Sequence, residues 1–379
     1  MITTYDYIVP VLESAGTSHE MSQKGSELNR LILINDNGVD MYRIDIGIDL
    51  GTSKVCVYMR DKGIVINQPS VIAYEKKEKK ILAVGKKAKK MLGKTTDNII
   101  VARPIKNGVI SEYFLAERMI KAFVKNALTK RKIWGRPNIC VGIPSGVTEV
   151  ERRAVEDAVV RTGAKQVFVL ESAIAAAIGA DMDITETYGH MIVDIGGGTT
   201  DIAVISAGGI SEGVSLKCGG DDFTEALIRY VRRKYNVELG ELTAEEAKES
   251  VGSVMKRKKD IYMEVKGKNL LSGLPVKINL SADETVEAFE EVSSQIINAI
   301  NSILETAPPE LINDISKEGL MLTGGGSHIA GMQKLIATRS QIKVVASEEE
   351  ESMVALGTGF AGKYIMVQEE IKRMQLEEE

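Results

Sequence analysis

The chain has 379 residues and a formal net charge of −5, and 44% of its residues are hydrophobic and 27% charged. This length exceeds what one hydrophobic core usually holds, so the sequence predicts two lobes. The composition is that of a soluble globular protein and excludes a largely disordered chain, and the acidic balance gives no reason to expect nucleic-acid binding.

The N-terminal stretch, residues 1 to about 40, is polar and weakly patterned. It does not have the pattern of a signal peptide, because it lacks a basic start and Pro10 and Glu13 interrupt its apolar run. We expect residues 1–42 to form an extension outside the fold, either disordered or upstream of a natural initiator at Met41.

The three cysteines, Cys56, Cys140 and Cys218, are far apart and lack metal-ligand spacing. They are typical of reduced core residues in a cytosolic protein. No apolar run approaches the roughly twenty residues that cross a bilayer. The sequence therefore predicts a cytoplasmic protein.

The first strongly patterned segment is a predicted β-hairpin. Residues 44–50, IDIGIDL, have the pattern of a buried strand, and the turn Gly51-Thr52-Ser53 leads into a second strand, VCVYM. A lysine-rich passage from Lys76 to Lys94, whose charges are interleaved with apolar residues, predicts a small subdomain with a solvated basic face.

Helices and strands then alternate. Residues 112–128 repeat apolar positions at helical spacing, and NICVGIP predicts a buried strand. Thr148 and Glu151 form a predicted capping box for a helix that runs through about Arg161. KQVFVLE predicts a strand that leads into an alanine-rich helix, SAIAAAIGA. This alternation is typical of the α/β class.

The opening design recurs in HMIVDIGGGTTDIAVISAGGI, which again combines a buried strand, an acidic residue, a glycine turn and a second strand. A further strand, GLMLT, ends in Gly324-Gly325-Gly326. Such an internal duplication predicts two related lobes that face one cleft.

Each of the two glycine turns follows an aspartate at a strand end, Asp49 before Gly51 and Asp194 before Gly196. Backbone N–H groups of glycine turns cradle phosphate, and a carboxylate holds Mg²⁺, usually through water. Either turn alone is also typical of a plain hairpin, but the pair favours a polyphosphate site. Neither is a Walker loop, and neither is a dinucleotide fingerprint, because a strand follows where a helix should begin.

These segments resemble the MreB and Mbl rod-shape proteins, within the actin, sugar-kinase and heat-shock-chaperone ATPase superfamily. The resemblance runs from about Arg43 to about Lys363 and rests on DIGIDLGTSK, GIVINQPSVIA, PIKNGVISEY, VGIPSGVTEVERRAV, AAAIGA, IVDIGGGTTDIAVIS, GGDDF, PPELINDI and LTGGG. It implies an α/β, actin-like two-lobed ATPase fold of duplicated ribonuclease-H-like domains. Lobe I would cover residues 43–185 plus 358–375, with an insertion at about 73–105. Lobe II would cover 186–357, with an insertion at about 222–285.

The resemblance also implies that the cleft binds ATP and Mg²⁺. Asp49 and Asp194 would hold the metal through water, and the adenosine would lie between the third glycine cluster and a helix that carries Glu245 and Lys248. For that pair, a solvated helix face is an equally good interpretation. The implied nucleotide-binding residues are Asp49, Gly51, Thr52, Ser53, Lys54, Asp194, Gly196, Gly197, Gly198, Thr199, Gly219, Asp221, Glu245, Lys248, Gly324, Gly325 and Gly326.

Two positions depart from the family pattern. Lys54 replaces a neutral amide, so it either adds a cation near the phosphates or points to solvent. Ser172 stands where the family has its water-polarising glutamate, and Glu171 is one residue away, about 100° around a helix. The candidate catalytic residues are Thr199, Ser172 and Glu171. Because serine replaces the glutamate, Thr199 would be left to position the attacking water, and we expect slow ATP hydrolysis.

A membrane contact is expected at the tip Ile133-Trp134, which four cations surround in KRKIWGRP. An indole at headgroup level beside cations suits an anionic bilayer surface, although a tryptophan covering the end of a lobe fits too. The resemblance implies self-association into filaments at the inner face of the cell membrane, together with the cell-wall elongation machinery, and no nucleic acid.

Other functions of the same superfamily stay open. One is an ATP-binding paralogue with weak hydrolysis that acts as a regulatory scaffold. A chaperone ATPase would need a β-rich peptide-binding region and a helical lid, and a small-molecule kinase would need a catalytic aspartate facing a sugar pocket. A membrane-tethering division protein would need a rearranged subdomain and a C-terminal membrane helix. The sequence marks none of these features, so we expect a cell-shape filament protein.

Overall fold

A computed structural model describes residues 42–129, 135–347 and 350–378. The predicted extension, up to residue 41, and the predicted membrane tip Ile133-Trp134 lie outside the described residues.

The strands are β1 (Ile46–Leu50), β2 (Lys54–Met59), β3 (Gly63–Pro69), β4 (Ile72–Glu75), β5 (Lys80–Val84), β6 (Ile99–Ala102), β7 (Ile105–Lys106), β8 (Val109–Ile110), β9 (Asn138–Ile143), β10 (Gln166–Glu171), β11 (His190–Ile195), β12 (Thr200–Ser206), β13 (Gly209–Leu216), β14 (Val237–Glu238), β15 (Tyr262–Asn269), β16 (Pro275–Ser281), β17 (Leu320–Thr323) and β18 (Val344–Ala346). The α-helices are α1 (Lys86–Lys89), α2 (Tyr113–Thr129), α3 (Glu149–Val160), α4 (Ser172–Gly179), α5 (Gly220–Tyr235), α6 (Glu241–Val251), α7 (Ala282–Thr306), α8 (Pro309–Glu318), α9 (Met332–Ser340), α10 (Met353–Phe360) and α11 (Gly362–Glu378).

Two larger sheets share one topology. In the first, with the order β3-β2-β1-β9-β10, three antiparallel strands are followed by two parallel ones. In the second, β13-β12-β11-β17-β18, the same pattern recurs. The predicted internal duplication is therefore confirmed, and β1-β2 and β11-β12 are its equivalent hairpins.

Each lobe also carries a small sheet in its predicted insertion, β5-β4-β6 in lobe I and β14-β15-β16 in lobe II. The first contains the lysine-rich passage, whose lysines lie mostly at the surface. The exact bounds of the two lobes stay a prediction.

The helices follow the expected sequence signals. Thr148 and Glu151 form the capping box that begins α3: the Thr148 Oγ1 accepts from the Glu151 N–H, and the Glu151 carboxylate accepts from the Thr148 N–H. The alanine-rich segment forms α4 and is almost entirely buried. The close approach of α10 to α4 depends on glycine, because a Cβ at Gly357 would collide with the Ala175 carbonyl oxygen. This contact holds α4 against α10.

All three cysteines are buried free thiols, as predicted for core residues. Across the ranges that the structure describes, no helix is both long and apolar enough to span a membrane.

Candidate functional site

A cavity of about 450 Å³ lies where the two equivalent hairpins face each other. Its walls come from both lobes: the β1–β2 turn on one side, the β11–β12 turn on the other, and α6 with the glycine cluster after β17 at one end. Because strand ends and helix starts converge here, the backbone presents polar groups to the cavity from both lobes.

The two hairpin turns pack directly against each other. A Cβ built on Gly198 would lie 2.7 Å from the Thr52 Oγ1, and one on Gly197 would lie 3.0 Å from the Ser53 nitrogen. Thr52 is itself held, since its Oγ1 accepts a 2.8 Å hydrogen bond from the Gly108 N–H. The glycines are therefore required by the contact between the turns, and this contact holds both turns at the cavity wall.

Three carboxylates, Asp49, Asp194 and Asp201, line the cavity. Burial raises the pKa of Asp49 to about 8, with Asp194 and Asp201 adding repulsion. Burial likewise raises the pKa of Asp201 to about 7, reinforced by Asp194, and the pKa of Asp194 to about 6. Asp194 and Asp201 are paired across β11 and β12.

No lysine or arginine among the described residues forms an ion pair with these three carboxylates. Three buried, mutually repelling acids favour a bound cation, because its charge would offset their desolvation. Within the described ranges, no group of three or more His, Cys, Asp or Glu side chains is close enough to hold a metal directly. The donor set thus fits a cation held in part by water or by a ligand's oxygens.

Gly324-Gly325-Gly326 and one face of α6 form a further part of the cavity wall. Gly324 has φ +84°, and a Cβ there would lie 2.5 Å from the Asp194 Oδ1. Asp194 also accepts a 3.0 Å hydrogen bond from Thr323 Oγ1. The third glycine cluster is thereby coupled to the second carboxylate.

Glu245 and Lys248, the two predicted residues of α6, both line the cavity but are engaged with other residues. The Lys248 Nζ donates to the Gly220 carbonyl at 2.8 Å and to Thr224 Oγ1 at 2.9 Å. Glu245 forms an ion pair with Lys89 of α1, at 2.9 Å. Neither is the solvated helix residue of the alternative interpretation.

Ion pairs cross the mouth of the cleft between the lobe I insertion and lobe II. Arg103, which follows β6, lies 2.7 Å from Glu241 and 3.4 Å from Asp221. Together with the Lys89–Glu245 pair, these contacts link the two lobes over the cavity. We call these five residues the cleft clasp.

Ser172 is the first residue of α4; it is 8% exposed and lines the cavity. Glu171 is the N-cap residue, makes no side-chain capping bond and is not part of the cavity lining. Thr199 lines the cavity from the second turn.

Lys54 lines the cavity, but its Nζ bonds Glu351 at 2.6 Å. This pair joins the start of β2 to the turn before α10. The Lys54 ammonium group is thus neither free beside the first turn nor simply in solvent.

Most of the predicted nucleotide-binding residues lie together on this cavity. The two exceptions, Gly198 and Gly219, support the wall from behind: a Cβ on Gly219 would lie 2.7 Å from the Gly196 carbonyl oxygen. The sequence prediction missed several lining residues, namely Gly108, Asp201, Glu249, Arg257 and Glu351. For Asp201 a signal existed, since it lies in the second motif and its strand partner is Asp194. For Arg257 and Glu351 there was none.

Duplicated sheets of one topology that face a carboxylate-lined cleft define an actin-like two-lobed fold. Residues 43–370 match the family model described as MreB/Mbl protein. The chain therefore belongs to the MreB/Mbl family.

Similar proteins bear this out. The cell shape-determining protein Mbl of Bacillus cereus is 41% identical over 319 residues, which cover 84% of this chain and 96% of that protein. The cell shape-determining protein MreB of Escherichia coli is 42% identical over 325 residues, or 85% and 94% of the two chains.

Solved structures of similar proteins support the actin-like fold. MreB5 of Spiroplasma citri bound to ADP matches with a TM-score of 0.80 and 34% identity, covering 86% of this chain and 98% of that one. The MamK double helical filament matches with a TM-score of 0.71, and its 20% identity supports the fold alone.

Proposed function

We propose that this protein is an ATP-binding, actin-like cytoskeletal filament protein that helps to determine cell shape by organising cell-wall elongation. The observation that carries the proposal is the pair of equivalent hairpin turns packed against each other beside three buried carboxylates. Relatives named as cell shape-determining proteins support the cellular role, and a relative solved with ADP supports nucleotide binding.

In this proposal the phosphates lie against the two hairpin turns, whose backbone N–H groups donate to them. Asp49 and Asp194 would hold Mg²⁺ through water, and the metal would neutralise phosphate charge. Asp194 is oriented for this by Thr323. The adenosine lies towards Gly324-Gly325-Gly326 and α6.

We further propose that the protein self-associates and lies at the inner face of the cell membrane. MamK, which shares the fold, was solved as a double helical filament, and the MreB and Mbl relatives carry cell-shape names. The proposed membrane contact, Ile133 and Trp134, lies outside the described residues. Burying two such side chains is worth roughly 1.5 to 3 kcal/mol each, so filaments should bind vesicles better than protomers.

Calorimetry with ATP and ADP, with and without Mg²⁺, tests the site directly. We expect binding that depends on Mg²⁺ and that Asp194→Asn weakens at least tenfold, with Asp314→Asn, a carboxylate on α8 outside the cavity lining, as the control. Equal nucleotide affinity in wild type and Asp194→Asn would overturn the site assignment.

Electron microscopy with and without ATP tests the assembly, and sedimentation with anionic vesicles tests the membrane contact. We expect filaments with ATP, and loss of vesicle binding when Ile133 and Trp134 are both changed to serine. If filaments form but do not bind vesicles, the proposed membrane contact is wrong, whereas the proposed self-association stands.

A further inference from the structure

The chain segment that follows α6 enters the cavity on a fixed backbone. The Ser253 N–H donates to Thr285 Oγ1 at 2.9 Å, and the Val254 N–H donates to the Ala330 carbonyl, also at 2.9 Å. Ala330 itself lines the cavity beside the third glycine cluster. The side chain of Arg257, three residues further on, thus extends from an anchored stem.

Arg257 is itself a lining residue of the cavity, as is Gly252 at the end of α6. One of its amino groups, Nη2, donates to the Gly252 carbonyl at 3.4 Å, a long hydrogen bond. Its Nε–H is buried and has no acceptor among the residues that the structure describes. A buried donor without a partner is costly, so a ligand that supplies an acceptor gains from meeting it.

Other basic side chains of the lining are already engaged. Lys248 is bonded to Gly220 and Thr224, and Lys54 is bonded to Glu351. Glu245, which is paired with Lys89, is a carboxylate and offers no donor to a ring nitrogen. Arg257 therefore carries an uncommitted donor next to the C-terminal end of α6.

We propose that Arg257 is a base-contacting residue of the cleft, which donates a hydrogen bond from its guanidinium to a ring nitrogen of a bound purine nucleotide. This inference rests on the proposed nucleotide binding and adds to it a residue that determines base specificity. A guanidinium only donates, so it matches the ring nitrogens of a purine and not the exocyclic amino group of adenine.

The test compares ATP with 1-deaza-, 3-deaza- and 7-deaza-ATP, each of which lacks one ring acceptor. Calorimetric affinities are measured for the wild type and for Arg257→Met, which keeps an apolar stem of similar length. The neighbouring exposed residue gives the control, Lys258→Met. Inorganic tripolyphosphate serves as a ligand without a base.

We expect the wild type and Lys258→Met to bind one of the deaza analogues about tenfold more weakly than ATP. In Arg257→Met that penalty should shrink to about twofold or less, while tripolyphosphate binds both proteins equally. A deaza penalty that is absent from the wild type, or unchanged in Arg257→Met, would overturn the proposal. The proposal would also be overturned if Arg257→Met lost as much affinity for tripolyphosphate as for ATP. The substitution would then act on phosphate binding or on folding and not on the base. If wild type binds neither ATP nor ADP, the proposed function itself fails.

Discussion

Replacing Arg103 with alanine should open the cleft clasp and speed nucleotide release. Arg103 is 17% exposed and forms three ion pairs across the cleft, with Glu241, with Asp221 and, at 3.9 Å, with Glu245. No other described residue forms an ion pair with Asp221. Its removal takes from Asp221, whose pKa burial raises, the cation that lowers this pKa most, and leaves the more weakly acting Lys248.

The free energy that Arg103 contributes to keeping the cleft closed can be estimated from the exposure of its partners. Glu241 is 52% exposed, so solvent screens its 2.7 Å pair to about 1 kcal/mol or less. Asp221 is 31% exposed, and stranding a partly buried carboxylate adds about 1 to 2 kcal/mol. The sum of roughly 1 to 3 kcal/mol corresponds to about 5- to 150-fold in the equilibrium between the closed and the open cleft.

Stopped-flow release of a fluorescent ADP analogue measures this change. We expect release to accelerate about fivefold or more in Arg103→Ala, with little effect in Arg229→Ala. That control breaks an ion pair with Glu225 whose partners are 59% and 70% exposed on α5. Release rates within twofold of wild type would refute the idea that the clasp holds the cleft closed.

Three further predictions concern the cavity itself. Because Asp49, Asp194 and Asp201 have raised pKa values of about 8, 6 and 7, the folded state binds more protons than the unfolded state between about pH 4 and pH 8. The free energy of unfolding of the ligand-free protein should therefore fall as pH rises through this range, and chemical denaturation should show a flatter profile in Asp194→Asn. Gly197→Ala should push the two turns apart and lower the free energy of unfolding by about 1 to 3 kcal/mol. Gly240→Ala, where a Cβ meets nothing within 4 Å, should leave it unchanged. Equal melting temperatures of the two variants would contradict the packing argument. Ser172→Glu should raise phosphate release about 100-fold or more under filament-forming conditions, and Glu171→Ala should change it little; a collapse in Glu171→Ala would make Glu171 the catalytic carboxylate.

Local signals in the sequence were enough to predict the elements of the two hairpins, several of their neighbours and the internal duplication. Buried apolar runs predicted β1, β2 and β11, and the side chains of Thr148 and Glu151 indicated the start of α3 because a capping box involves only residues three apart. The paired Asp-Gly turns also located most of the cavity wall. These features depend on neighbours in the chain, so pattern alone can reveal them.

The rest depends on contacts between distant residues. Lys54 and Glu351 are 297 positions apart, and no spacing rule pairs them. The same holds for Lys89 with Glu245, so no signal in the sequence indicated that this predicted nucleotide-binding residue also belongs to the cleft clasp. The reason for the glycines at Gly197 and Gly198 was also hidden, because the atoms they make room for belong to the other lobe.

The position of Ser172 bears on how long a filament would keep its ATP. The side chains on this wall of the cavity include Ser172 and Thr199, and both are neutral. Glu171, as the N-cap residue, lies outside the lining, and a rotation of α4 to bring it in is opposed by the close contact of α4 with α10. Asp201 does line the cavity, but its carboxylate already accepts from the Ser145 N–H at 3.1 Å and its pKa is raised by burial. The Asp201 carboxylate is therefore partly occupied by a backbone donor, which leaves it fewer free lone pairs for orienting a water molecule. Since phosphoryl transfer relies on a positioned group to orient the attacking water, we expect this cleft to hold ATP longer than one with glutamate at position 172, and we expect filaments formed with ATP to persist.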